Sequence, residues 1–186
     1  MIKRTMLLLA ALAALFAPAA AQGAELRDSE GNPLGGSAEI TATSSNMTIT
    51  TASGTIVCAS ATLYGGVAEN FPEVFIPISS TTMEGCKIKG LNIPVPFTTS
   101  EVSPIHLAEG QGWTSTTFKY DIPAVGLSNC HFEGVFELAY KSESDVVSLP
   151  GSALTAGASP PPGCPTTGLA HGSFTLEDAL GPVTIY

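Results

Sequence analysis

Only 12% of the 186 residues are charged, about half the proportion of an ordinary soluble domain. Asp and Glu outnumber Lys and Arg by 16 to 7, and a formal charge of −9 leaves no basic surface for phosphates, so nucleic acid is excluded as a partner. Scarce charge together with 19 Gly and 14 Pro also excludes coiled coils and charge-laced helical bundles, which need long runs of strong helix formers.

Residues Met1–Ala21 read as a secretory signal. Lys3 and Arg4 open it, an apolar run extends from Met6 to Phe16, Pro18 breaks it, and Ala19 and Ala21 supply the small residues of a cleavage site. The apolar run is shorter than the ~20 residues that span a bilayer, so no membrane anchor is expected in the mature chain. Residues 22–186 are then a single secreted domain, destined for the periplasm or the extracellular space.

Along that domain, Glu30-Gly31-Asn32-Pro33 marks a turn. From Ala38 to Thr51 apolar residues recur at two-residue spacing, as Ile40 and Ala42 and then Met47 and Ile49, which predicts strand. Further strands are predicted at Thr55–Tyr64, Val74–Ile78, Ile93–Phe97, Trp113–Tyr120, Phe132–Tyr140, Val146–Leu149, Gly172–Leu176 and Val183–Tyr186. Pro72, Pro77, Pro94 and Pro96 mark edges or connections, because proline donates no ladder hydrogen bond. Ser159-Pro160-Pro161-Pro162-Gly163 is a stiff loop that delivers Cys164 to its partner. Beyond the leader no window carries a helical apolar stripe with caps. The fold class that follows is all-β, an antiparallel β-sandwich, with an open β-barrel as the alternative. An outer-membrane barrel is disfavoured: stepping back by two from Tyr186 gives Thr184, Pro182 and Leu180, without lipid-facing alternation.

Cys58, Cys86, Cys130 and Cys164 form an even set in an exported chain, which predicts two disulfides in any of three pairings. A weak repeat favours one pairing. Gly54-x-x-x-Cys58 is echoed by Gly126-x-x-x-Cys130, and Gly85-Cys86-x-x-x-Gly90-Leu91 by Gly163-Cys164-x-x-x-Gly168-Leu169. A degenerate duplication over about 38–110 and 111–186 would place one bond in each half, Cys58 with Cys86 and Cys130 with Cys164. Metal ligation is the lesser reading, since no C-x-x-C occurs, and no metal or cofactor is expected.

Catalytic patterns are missing: there is no G-x-S-x-G, S-x-x-K or H-E-x-x-H. His131 follows Cys130 directly, so on a strand the two point to opposite faces, as a structural cysteine and a surface histidine would. His171 reads as a turn residue. Glu133 and Glu137 share one parity and are expected to face solvent, while Glu143 and Asp145 lack the spacing of a calcium loop. Trp113, the one tryptophan, would stack on a sugar or pack in the core, and core packing is the expectation. Asn46-Met47-Thr48 matches a glycosylation acceptor.

Some runs are similar to a secreted bacterial group known as the protein activator of alkane oxidation. They are Gly54-Thr55-Ile56-Val57-Cys58, Cys86-Lys87-Ile88-Lys89-Gly90-Leu91-Asn92-Ile93-Pro94, the late Cys130 and Cys164, and Pro182-Val183-Thr184-Ile185-Tyr186. Val95 stands where that group often has an aromatic, and Phe97 follows two later. The resemblance implies an extracellular, non-enzymatic protein that helps cells use hydrophobic substrates, and it carries over no catalytic residue. Phe75, Ile76, Val95 and Phe97 lie among prolines and are the candidate apolar contacts, provided they are exposed together rather than roofing the core. The expected partner is a hydrophobic substrate, a cell-envelope component or extracellular matrix. The alternatives are a self-associating structural or adhesive matrix protein with Lys-poor edges, and a secreted hydrolase.

Overall fold

The computed structural model describes residues 23–122 and 126–186, so the leader Met1–Ala21 lies outside the described residues. The first strands are β1 (Leu26–Arg27), β2 (Glu39–Ser44), β3 (Thr48–Thr51), β4 (Gly54–Val57) and β5 (Ser60–Gly66). Next come β6 (Val74–Ile76), β7 (Ile78–Glu84), β8 (Lys87–Ile88), β9 (Phe97–Val102) and β10 (Ile105–Ala108). Three long strands follow β11 (Gln111–Ile122), namely β12 (Leu127–Tyr140), β13 (Val146–Ala156) and β14 (Thr167–Asp178), before the short β15 (Gly181–Pro182) and β16 (Thr184–Ile185). The described residues contain no helix, and the all-β antiparallel class read from the sequence is the class observed.

A single 14-stranded antiparallel sheet carries the main path β6-β10-β11-β12-β13-β14-β2-β5-β7 and curls nearly closed into a barrel-like shape. Its two ends are one piece of chain, because only Pro77 separates β6 from β7. At the β6 end the ring is hydrogen-bonded: Ala68 N donates to Phe75 O at 2.9 Å and Phe75 N to Glu69 O at 2.9 Å, linking the chain beyond β5 to β6. At the other end β7 pairs only with β5 and β9 only with β11, and these two strands lie alongside each other without a ladder. That unladdered seam is the opening in the wall.

Closure depends on Gly65. The Tyr64/Gly65 step carries a register shift, and a Cβ at Gly65 would sit 2.6 Å from Pro77 O and 2.8 Å from Ile76 Cγ2. Only a residue without a side chain lets β5 pass the β6–β7 junction this closely.

Alternation fills the interior. On β11, Gly112, Thr114, Thr116, Phe118, Tyr120 and Ile122 point inward, while Gln111, Trp113, Ser115 and Lys119 point outward and are exposed. One end of the interior is aromatic: Phe97 packs 5.5 Å from both Phe118 and Tyr120, and Phe132 lies 5.7 Å from Tyr120. Towards the other end Phe136 and Phe174 lie among mainly aliphatic side chains.

Both disulfides are present, Cys58–Cys86 and Cys130–Cys164, in the pairing that the repeat suggests. On a loop-entropy account each contributes about 3 to 4 kcal/mol. They occupy different positions in the fold. The first ties the end of β4 to the start of β8, whereas the second anchors β12 to the Pro-rich loop between β13 and β14. Another tie joins the early chain to the barrel: Leu26 N donates to Asn70 Oδ1 at 2.7 Å, and Asn70 Nδ2 donates to Leu26 O and Leu34 O, both at 2.9 Å.

Replacing Gly65 by Ala is expected to cost about 2 to 3 kcal/mol through overpacking against backbone. Gly66→Ala, whose Cβ would meet only Ala38 O at 3.8 Å, should cost less than half as much, and urea unfolding of both variants checks the contrast. Burial pushes the Tyr120 hydroxyl from its ordinary 10 up to about 12. Unfolded Tyr120 therefore releases its proton before the folded residue does, and its contribution to stability is intact below pH 10 and lost as pH rises toward 12. Tyr120→Phe should flatten that part of the stability profile.

Candidate functional site

The interior holds a cavity of about 50 Å³ beneath the β7/β9 seam. Thr81 and Met83 from β7, Val102 from β9, Ile76 from β6 and Leu107 from β10 line it, and Met47, between β2 and β3, reaches it from the far wall. Hydroxyls are the only polar side-chain groups in this lining. Thr114 donates to Ser103 O at 2.7 Å and is satisfied, but Thr81 Oγ1 is buried with no hydrogen-bond partner. A buried hydroxyl left unpaired costs about 1 to 3 kcal/mol, so the fold holds open one hydrogen-bonding position in an otherwise apolar chamber.

Of the candidate contacts, Ile76 and Val95 are buried at 2% exposure each, and Phe75 and Phe97 are half-buried. They therefore form no common exposed patch. Ile76 faces the cavity, Val95 packs near the first disulfide with its N–H on Cys86 O, Phe97 joins the aromatic end, and Phe75 belongs to the outer wall.

That outer wall corrects the expectation for Trp113, which is 43% exposed rather than packed in the core. The strict alternation of β11 explains the difference: Gly112 and Thr114 take the inward positions, and the odd-numbered Trp113 is carried outside. A cross-strand row runs Phe75, His106, Trp113, Glu137 over β6, β10, β11 and β12. His106 stacks on Trp113 at 4.9 Å with rings 3° from parallel, and Phe75 meets His106 edge-on at 4.8 Å. Beside the row lies an open groove of about 1020 Å³.

The remaining candidates are scattered. Glu133 and Glu137 face outward as expected, and Val135 shares their face at 55% exposure. His131 is not a plain surface residue: it is half-buried against Gly157, and its Nε2 is buried without a partner. His171 lies within β14 rather than in a turn, with Nδ1 3.0 Å from Pro150 O. Asn46 binds Ser173 through both ends of its amide, at 2.9 Å each, so it ties the β2–β3 connection to β14. Among the described residues no group of His, Cys, Asp and Glu is arranged to hold a metal, and no helix is long and apolar enough to cross a membrane.

Thr81 and His106 carry no role in the sequence reading because their strands were not foreseen. The β7 run Ile78-Ser79-Ser80-Thr81-Thr82-Met83-Glu84 lacks apolar alternation. The run Ile105-His106-Leu107-Ala108 does alternate, but over only four residues.

Together these features define an antiparallel barrel-like protein with an apolar interior and an aromatic strip on its outer wall. Compared with protein-family models, curated proteins and solved structures, the chain finds no match.

Thr81→Val keeps the branched shape and removes the orphan hydroxyl. It is expected to raise unfolding free energy by about 1 kcal/mol, read as a higher urea midpoint at unchanged slope.

Proposed function

We propose that this chain is an exported, non-enzymatic β protein that binds a hydrophobic molecule and holds its apolar end inside the barrel. The observation that carries this reading is the apolar cavity with one unpaired hydroxyl, set beneath the seam where β7 and β9 lie side by side without a ladder. The volume, about 50 Å³, is well below the 150 Å³ or so that accepts a benzene ring. It suits the end of an unbranched alkyl chain. A longer stretch enters as β7 and β9 part, a motion that breaks no ladder hydrogen bond, while the flexible thioethers of Met47 and Met83 rearrange around the guest. Thr81 would hydrogen-bond a hydroxyl or carbonyl on that guest, which favours oxygenated chains over plain alkanes.

The setting supports the same reading. Two disulfides suit an oxidising compartment outside the cytoplasm, and the sparse charge of the chain suits contact with apolar material. The sequence resemblance points to alkane use, and in that role the protein would carry or present chains rather than transform them.

Beyond the leader the chain has two methionines, Met47 and Met83, and both line the cavity, so their methyl groups report on it directly. Titration with 1-dodecanol should shift both methyl NMR signals saturably. Dodecane should bind at least threefold more weakly, and Thr81→Val should erase the difference. Ala61→Leu, which fills the chamber, should reduce dodecanol affinity at least tenfold. Methyl signals that stay fixed with both ligands would sink the interior-binding reading, and turnover of an ester, glycoside or peptide panel would overturn the non-enzymatic part.

A further inference from the structure

From the outer wall, independently of the interior, we infer a second binding site: a saccharide platform built on Trp113 that takes a neutral pyranose. Trp113 is one of several large apolar side chains exposed on this protein, and it is the one that stacks in parallel on a neighbouring ring. His106 covers one ring face by parallel stacking and is itself braced edge-on by Phe75, so Trp113 cannot fold away without giving up its stack on a ring that is held in place. On the β12 side Glu137 stands opposite Trp113 in register, and both line the groove.

The chemistry of the groove selects the ligand. Three carboxylates, Glu73, Glu109 and Glu137, line it together with Gln111, and no Lys or Arg does. None of those carboxylates has a hydrogen-bond or ion-pair partner among the described residues. Acidic sugars, phosphates and sulfates are repelled. A ligand rich in hydroxyl donors satisfies the carboxylates, and the electron-rich indole face attracts the weakly positive C–H face of a sugar ring.

An organic cation would also be drawn to carboxylates and indole, but cation recognition uses aromatic rings placed around the charge. These rings stand side by side in one row, which makes a platform and not a cage. The groove volume, about 1020 Å³, is at the upper end of ligand sites, so several sugar units of a chain fit along it. A polysaccharide of envelope or matrix is the natural source of such a chain.

Because Trp113 is the one tryptophan in the chain, intrinsic fluorescence reads this site without labelling. Hexasaccharides of β-1,4-linked glucose, β-1,4-linked N-acetylglucosamine and α-1,4-linked glucose should be titrated into the purified protein, with hexagalacturonate and tetramethylammonium in parallel. At least one neutral hexasaccharide should give a saturable blue shift and hexagalacturonate none. Glu137→Ala should weaken the response at least threefold with an unchanged urea midpoint. Trp113→Ala should reduce retention on the matching insoluble polysaccharide at least tenfold, and Trp113→Phe should recover part of it. Silence with every neutral sugar overturns the proposal, and so does a response to tetramethylammonium without one to any sugar.

Discussion

Everything in this molecule follows from one close passage, where Gly65 on β5 slides past Ile76 and Pro77 with no room for a side chain. An extended segment there changes partners at a proline. Before Pro77 it hydrogen-bonds to β10, and after it to β5, so both ends of the sheet are held by the same few residues. Pro77 lacks the N–H that would continue the first ladder, yet its carbonyl accepts from Gly66 N at 3.2 Å. The switch leaves the far edge of β7 without a strand partner. The seam and the cavity beneath it are therefore consequences of how the ring closes, and not separate inventions.

The shortage of charge has a structural origin in the same sheet. Outward positions need residues that favour strand and tolerate water, and this chain uses threonine. Thr175, Thr43, Thr62 and Thr82 stand in register across β14, β2, β5 and β7, forming a row of branched side chains on one face. Each supplies strand propensity and cross-strand contact at no electrostatic cost. The polar character of the outer face then rests on hydroxyls and a thin excess of carboxylates. Against that background stand the exposed apolar side chains, among them Trp113 stacked on His106 with Glu137 opposite it in register.

Much of the architecture is legible in the sequence, for identifiable reasons. The long strands β11 to β14 declare themselves because buried apolar residues recur at two-residue spacing within each, as Phe118 and Tyr120, Phe136 and Leu138, Val147 and Leu149, and Phe174 and Leu176. Disulfide pairing was readable from glycine–cysteine echoes, although the two bonds occupy unlike places in the barrel. What escaped was anything decided by partner choice. Thr55–Tyr64 reads as one run, but it divides into β4 and β5 at Cys58 and Ala59, where the first disulfide and a change of ladder partner intervene. β7 carries Ser and Thr on both faces and is strand only because β5 pairs with it. For Trp113 the general tendency of aromatic residues to be buried competed with local parity, and parity won.

Inside and outside of the barrel also divide the chemistry between them. The cavity and the aromatic row use the same strands, β6, β10 and β11, with Ile76, Leu107 and Thr114 facing inward beside Phe75, His106 and Trp113 facing outward. Because side chains alternate with period two, neither set can be altered by a register slip without exchanging both. The ladder from β6 through β10 to β11 is continuous, whereas β7 and β9 meet without one, so the strands that carry the aromatic row are tied more tightly than the wall over the cavity. The proposed entry of a chain through the seam and the proposed docking of a saccharide on the outer row would both draw on this difference in stiffness, which the switch at Pro77 sets up.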